Sequence, residues 1–225
     1  MNYACALMSV TLFREPWCGP RTKSHRNESN WRIQMKRLLL AVAVATGFAA
    51  VASAETYVID PRHSQVMFTY SHLDFSNITV RFDEVEGEVS YDPANVEASR
   101  VKASVSIASV SSGVPDLDAH FKRDDLFDAE QFPTATFRST AVTKVGEGQL
   151  RVTGDLTIHG VTRETTFDVT VNRVAEHPMR KQSAAGFDAV ATVKRSDFGM
   201  DKYVPNISDE VTIRITVEAL VKGDS

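Results

Sequence analysis

Val211, Ile213, Ile215, Val217 and Ala219 are separated by Thr212, Arg214, Thr216 and Glu218, apolar and polar in strict turn. A period of two is the mark of a β-strand with one dry face and one wet face. From Tyr57 to the C-terminus the pattern returns in one short segment after another, with almost no helical period between them. A chain built of such strands must curl its dry face around something, either its own side chains or a ligand.

Eight candidate strands follow in order, over 57–72, 78–91, 99–107, 134–145, 149–158, 163–173, 184–194 and 210–222. Asp92-Pro93-Ala94-Asn95 closes the second, Gly146-Glu147-Gly148 joins the fourth to the fifth, and His159-Gly160 joins the fifth to the sixth. Links this short favour antiparallel neighbours. The expected fold class is therefore all-β: a single eight-stranded antiparallel barrel. One insertion breaks the rhythm between the third and fourth strands. Leu117 and Phe121 are four apart behind Pro115 and Asp116, which predicts a short helix over about 116–123 at one end of the barrel.

Val66, Phe68, Tyr70 and His72 share the dry face of the first strand, whereas Ala103, Gly154, Ala189 and Ala191 are small residues on other dry faces. Small inward residues either leave room or face large partners. Pattern alone leaves a filled core and a ligand cavity both open.

The alternation does not begin at Met1. Met35-Lys36-Arg37 is a short basic start, Leu38 to Val51 is an apolar run, and Ala52-Ser53-Ala54 is a small-x-small site. That layout predicts a signal peptide over 35–54 with cleavage after Ala54, the run being short for a membrane span. Residues 1–34 show no sustained period, so translation is expected to start at Met35, with the leading stretch a mis-assigned, disordered extension. Both cysteines, Cys5 and Cys18, lie in that stretch, so the expected mature domain, 55–225, has neither a disulfide nor a thiolate ligand. Removing residues 1–54 takes away seven of the 25 Lys+Arg and two of the 29 Asp+Glu, leaving 18 against 27, a net of −9. A domain this acidic is poorly suited to nucleic-acid phosphates.

Candidate chemistry is thin. His63, His72, His120, His159 and His177 share no metal-ligand spacing, and no Gly-x-Ser-x-Gly elbow is present. His120 and Asp116 form a helical i, i+4 pair, read as a surface or capping contact. His159 is read as bonding backbone at its turn. His72, in phase with Phe68 and Tyr70, is expected to point inward, as a buried structural histidine or as a hydrogen-bond partner for a ligand head. Asp116, Asp118, Asp124, Asp125 and Asp128 lack the glycine and terminal Glu of an EF-hand loop and are read as capping and solubilising. Arg195-Ser196-Asp197-Phe198 is read as a turn locked by local hydrogen bonds with Phe198 tucked beneath it. No catalytic residue, metal site or cofactor is expected.

Four runs resemble a known family. They are Tyr57-Val58-Ile59-Asp60-Pro61-Arg62-His63-Ser64 with Ser71-His72-Leu73; Asp118 to Ala129 with Phe132-Pro133; Gly154-Asp155-Leu156-Thr157-Ile158-His159-Gly160-Val161-Thr162; and Arg195-Ser196-Asp197-Phe198-Gly199. In order and spacing they resemble the YceI-like proteins across residues 56–221. The resemblance implies a lipocalin-like barrel, export to the periplasm and, as in some members, a polyisoprenoid or fatty chain held inside. Two departures stand out: Val80-Arg81-Phe82 where the family often has Gly before the phenylalanine, and Phe121 where leucine is more usual. Extra bulk at Phe121 would alter the mouth or shorten the cavity.

The expected ligand-binding lining is Phe68, Tyr70, His72, Phe82, Val105, Leu117, Phe121, Leu126, Phe137, Leu156, Ile158, Phe167 and Phe187, with Tyr70 and His72 as the polar contacts. The expected function is a periplasmic protein that sequesters or carries an amphiphilic polyisoprenoid, quinone-like, or a long acyl chain. The alternatives are an enzyme or electron-transfer accessory acting on an isoprenoid quinone, and a ligand-free stress-related module with a filled barrel. Partner expectations are the lipid itself, a membrane protein that loads it, and a homodimer.

Overall fold

The computed structural model describes residues 54–223. The N-terminal extension expected over 1–34, and the signal peptide expected over 35–54 in all but Ala54, lie outside the described residues. In chain order the elements are β1 (Glu55–Ile59), β2 (Gln65–His72), β3 (Ser76–Phe82), β4 (Val85–Tyr91), β5 (Arg100–Ser106), β6 (Val110–Ser111), α1 (Pro115–Phe121), β7 (Thr134–Gly146), β8 (Gln149–Ile158), β9 (Val161–Glu176), β10 (Ser183–Lys194) and β11 (Glu210–Val221).

Every strand pairing is antiparallel. The ring runs β1-β4-β5-β7-β8-β9-β10-β11 and closes on itself through β1 and β11, with Tyr57 opposite Val221 and Ile59 opposite Ala219. This is the eight-stranded barrel expected from the alternation. The remaining strands extend three of its staves: β2 continues β1 along β11, β3 pairs with β2, and β6 pairs with β3.

The first two staves are therefore bent where the sequence reading had them continuous, and the third bends and runs on past its expected end at 107. The breaks fall at 60–64, at Asp83-Glu84 and at Ile107–Ser109. Pro61 has no N–H for a ladder bond, and Asp60 closes the first corner by accepting from the backbone N–H of Arg62 on Oδ1 and of His63 on its carbonyl, both at 3.1 Å. At the other two, Asp83 N donates to Ser109 O (3.0 Å) and Ser106 N to Glu84 O (3.2 Å), so the breaks lie side by side.

Helix α1 starts at Pro115 and ends at Phe121, two residues short of the expected end. Proline suits this first position because its missing N–H would have no helical partner there. Asp118 Oδ1 accepts from both the backbone N–H and the hydroxyl of Ser112 at 2.6 Å, which fastens the loop before the helix. Phe121 and Phe127 then stand edge-on to Phe68 at 5.6 and 5.8 Å between ring centroids, so the whole segment is packed onto the barrel end by aromatic contacts.

Candidate ligand cavity

Behind this segment the barrel holds a cavity of about 630 Å³ that opens at one end. Residues from every strand but β6 form its wall, and nearly all are aliphatic or aromatic. The underside of α1 and its following turn contribute Leu117, Phe121, Leu126 and Phe127.

All thirteen residues of the sequence-derived lining lie on this wall. Phe68, Tyr70, Phe82, Val105, Leu117, Phe121, Leu126 and Ile158 belong to one apolar cluster under α1. Phe137, Phe167 and Phe187 belong to the cluster at the far side with Tyr91, and Leu156 packs with Phe198 and Met200. Phe137 meets Phe167 at 5.1 Å and Tyr91 meets Phe187 at 5.5 Å, both edge-on.

His72 departs from the buried structural role. It keeps the inward phase of β2 but lies at the last residue of that strand, exposed at the cavity mouth, where its backbone bridges Ile207. His120 departs too, since it faces Asp125 and not Asp116: its Nε2 lies 3.7 Å from Asp125 Oδ2. Asp125 is a half-buried hub between two segments. Its Oδ2 accepts from Lys202 Nζ at 2.6 Å and from the Tyr203 hydroxyl at 3.2 Å, tying the turn after α1 to the loop before β11. The hydrogen bond from Lys202 holds the Asp125 carboxyl below its ordinary value.

The loop over 199–209 is the part of the site that sequence reasoning missed. Arg195, Met200, Lys202, Tyr203, Asn206 and Ile207 all reach the cavity. Arg195 is buried at the head of this loop, and its guanidinium donates to the carbonyls of Met200, Ile207 and Ser208. Burial lowers its pKa, and nearby Asp209 and Asp201 offset this by favouring the charge. Ser196 donates to Asp209 through N–H and hydroxyl at 2.9 and 2.8 Å, and Phe198 is 1% exposed beneath the turn, as the sequence implied. His159 Nδ1 lies 3.3 Å from Phe198 O, the expected backbone contact.

One cluster of ligand-type atoms lies on the outer face of the barrel. Asp60, His63 and Glu218 bring them within 4.8 Å of one another. Arg62 contacts both oxygens of Asp60 at 3.1 Å, and Arg180 adds a third guanidinium contact at 3.4 Å. The Asp60 charge is thus met by two cations, which makes the cluster a corner lock and disfavours a metal ion.

Comparison with known proteins agrees with this geometry. The YceI-like domain profile matches residues 57–219. A UPF0312 protein of Vibrio cholerae is 38% identical over 192 residues, covering 84% of this chain and 100% of that protein. Among solved structures, BcnA of Burkholderia cenocepacia superposes with a TM-score of 0.66 at 28% identity, covering 72% of this chain and 99% of that one. A polyisoprenoid-binding domain from Saccharophagus degradans shares the fold at TM-score 0.58 and 16% identity, covering 75% and 99% of the two chains.

Proposed function

This chain belongs to the YceI-like family, and from that premise we propose that its barrel binds a long-chain amphiphilic lipid, a polyisoprenoid of quinone-like type or a long acyl chain. The observation that carries the reading is the apolar cavity itself. Its 630 Å³ falls within the span of small-molecule sites, roughly 300–1,000 Å³. Protein interiors otherwise pack with few voids larger than a water molecule. A ligand-free module was expected to have a filled barrel, and this barrel is open.

Magnitudes favour an apolar tail as the occupant. Each buried methylene is worth about 0.8 kcal/mol, so ten supply on the order of 8 kcal/mol before ordering costs. Micromolar affinity requires roughly that much net, so a chain longer than ten carbons suffices without a charged anchor. The name of the Saccharophagus domain fits such an occupant. Polar groups gather at the mouth, where His72, Lys202, Tyr203 and Asn206 stand, so the tail lies inward and the head outward. The site is read as binding and not catalytic, and the basic, apolar, small-residue layout of 35–54 supports export to the periplasm.

Native mass spectrometry with lipid extraction of the purified protein tests the reading. A bound isoprenoid or acyl lipid is expected. A barrel that arrives empty and takes up neither class on incubation would overturn it.

A further inference from the structure

Residues 72–76 turn β2 into β3 beside the mouth. Phe75 N donates to His72 O at 3.0 Å, and the two central residues, Leu73 and Asp74, have φ of +54° and +58°. Two successive left-handed residues make a tight hairpin turn that asparagine and glycine fill best. Leucine is ill suited there, because its Cβ crowds the neighbouring carbonyl. Burial does not compensate, since Leu73 is 47% exposed. The next residue, Phe75, is 91% exposed, the most of any large apolar side chain among the described residues. Backbone strain and solvent-exposed aromatic surface thus coincide in one turn, and nothing inside the fold recovers either cost.

The turn is fastened to the 199–209 loop. Leu73 N donates to Asn206 O and Ser71 N to Ser208 Oγ, both at 2.9 Å. That loop exposes Tyr203 by 43% and Val204 by 38%. Leu73 and Tyr203 also line the cavity, and the exposed Phe75 and Val204 lie in the same two segments. The rim offers little for anionic groups: Lys202, the only Lys or Arg in 71–76 and 199–207, is held by Asp125 at 2.6 Å, and Asp74 stands in the turn itself.

We propose that this rim, led by Leu73 and Phe75 with Tyr203 and Val204 beside them, inserts into the surface of a lipid bilayer and sets the cavity mouth against it. The inference rests on the lipid-binding reading and adds the route: a long-chain lipid passes between membrane and barrel without crossing water. Insertion is driven by apolar and aromatic surface and not by charge.

The test uses the purified protein and vesicles of zwitterionic phosphatidylcholine. In flotation the protein is expected to rise with the vesicles, no more weakly at high salt and no more strongly when anionic phosphatidylglycerol is added. The double variant Phe75→Ser with Val204→Ser, which leaves the cavity wall intact, is expected to bind vesicles about tenfold more weakly. It should accept a fluorescent isoprenoid from vesicles about tenfold more slowly, yet accept the same probe from cyclodextrin at the wild-type rate. Its melting temperature is expected to stay near that of the wild type, since Phe75 and Val204 are both exposed. Wild-type protein that stays below the vesicles, or equal vesicle transfer by both proteins, overturns the inference. If the wild type takes no probe from cyclodextrin, the lipid-binding reading is what fails, and flotation still decides the docking.

Discussion

The Phe137 ring occupies the space that a side chain at Gly154 would need: a Cβ built on Gly154 would lie 2.7 Å from Phe137 Cζ. The same Cβ would fall 2.3 Å from Arg138 O and 2.7 Å from Ser139 Cα, in the neighbouring strand β7. The glycine therefore makes no hole in the wall; it leaves room for the Phe137 ring beside it.

Gly154→Ala is accordingly expected to destabilise the barrel by about 2–3 kcal/mol, because two of the three clashing atoms are backbone and cannot step aside. Urea denaturation reads this directly. A loss under about 0.5 kcal/mol would show that β7 yields more easily than its ladder suggests.

Arg195→Met keeps most of the apolar stem but leaves the carbonyls of Met200, Ile207 and Ser208 without their donor. At roughly 1 kcal/mol for each lost hydrogen bond, about 3 kcal/mol of stability should go. Amide exchange over 199–209 should rise more than in β8 or β9. Uniform change across the chain would place the effect elsewhere.

Among the described residues five carboxyls, Glu55, Asp60, Asp118, Asp125 and Asp209, are held below their ordinary value, Glu55 by the hydrogen bond from the Tyr57 hydroxyl. For Asp60 and Asp209 burial opposes the shift, and hydrogen bonds from Arg62 and Ser196 respectively outweigh it. For Asp118 and Asp125 the side-chain bonds from Ser112 and Lys202 lead. A carboxyl depressed in the folded state stabilises above its unfolded pKa, and that stability is lost as pH falls through the folded value. Stability should thus be steady through neutrality and decline below about pH 4, the unfolded carboxylate value. Asp125→Asn should make the decline shallower. An unchanged slope in that variant would remove Asp125 from the set.

Ala189 lines the cavity from β10, between Val169 and Ile215 on the flanking strands. Ala189→Phe would place a ring in the void itself, and binding of a long isoprenoid should weaken by about tenfold or more. Thermal stability should stay near wild type, since the ring enters empty space. Unaltered affinity would mean the chain lies elsewhere.

The alternation carried the barrel because each inward residue repeats at two, and ten of the thirteen expected lining residues lie on its strands, while Leu117, Phe121 and Leu126 come from α1 and the turn after it. The bent staves were also written there, as changes of phase. Tyr57 and Ile59 face in at odd positions, Phe68 and Tyr70 at even ones, so the pattern slips between them at Asp60 to Ser64. Val80 and Phe82 against Val85 and Val89 repeat the slip. The 199–209 loop left no such trace. Arg195, Lys202 and Tyr203 sit in a segment without a period, and their approach to the mouth depends on partners as distant as Asp125.

The ring is closed by its first strand against its last, Tyr57 beside Val221. A nascent or threading chain therefore has no finished barrel until β11, Glu210–Val221, arrives. Until then, β1 and β10 each present an open edge, and the pairing that covers β1 joins Tyr57 to Val221, across nearly all the described residues. Folding should be late and all at once, completed by the C-terminus, and a chain stopped before Glu210 would be sticky where the complete one is sealed.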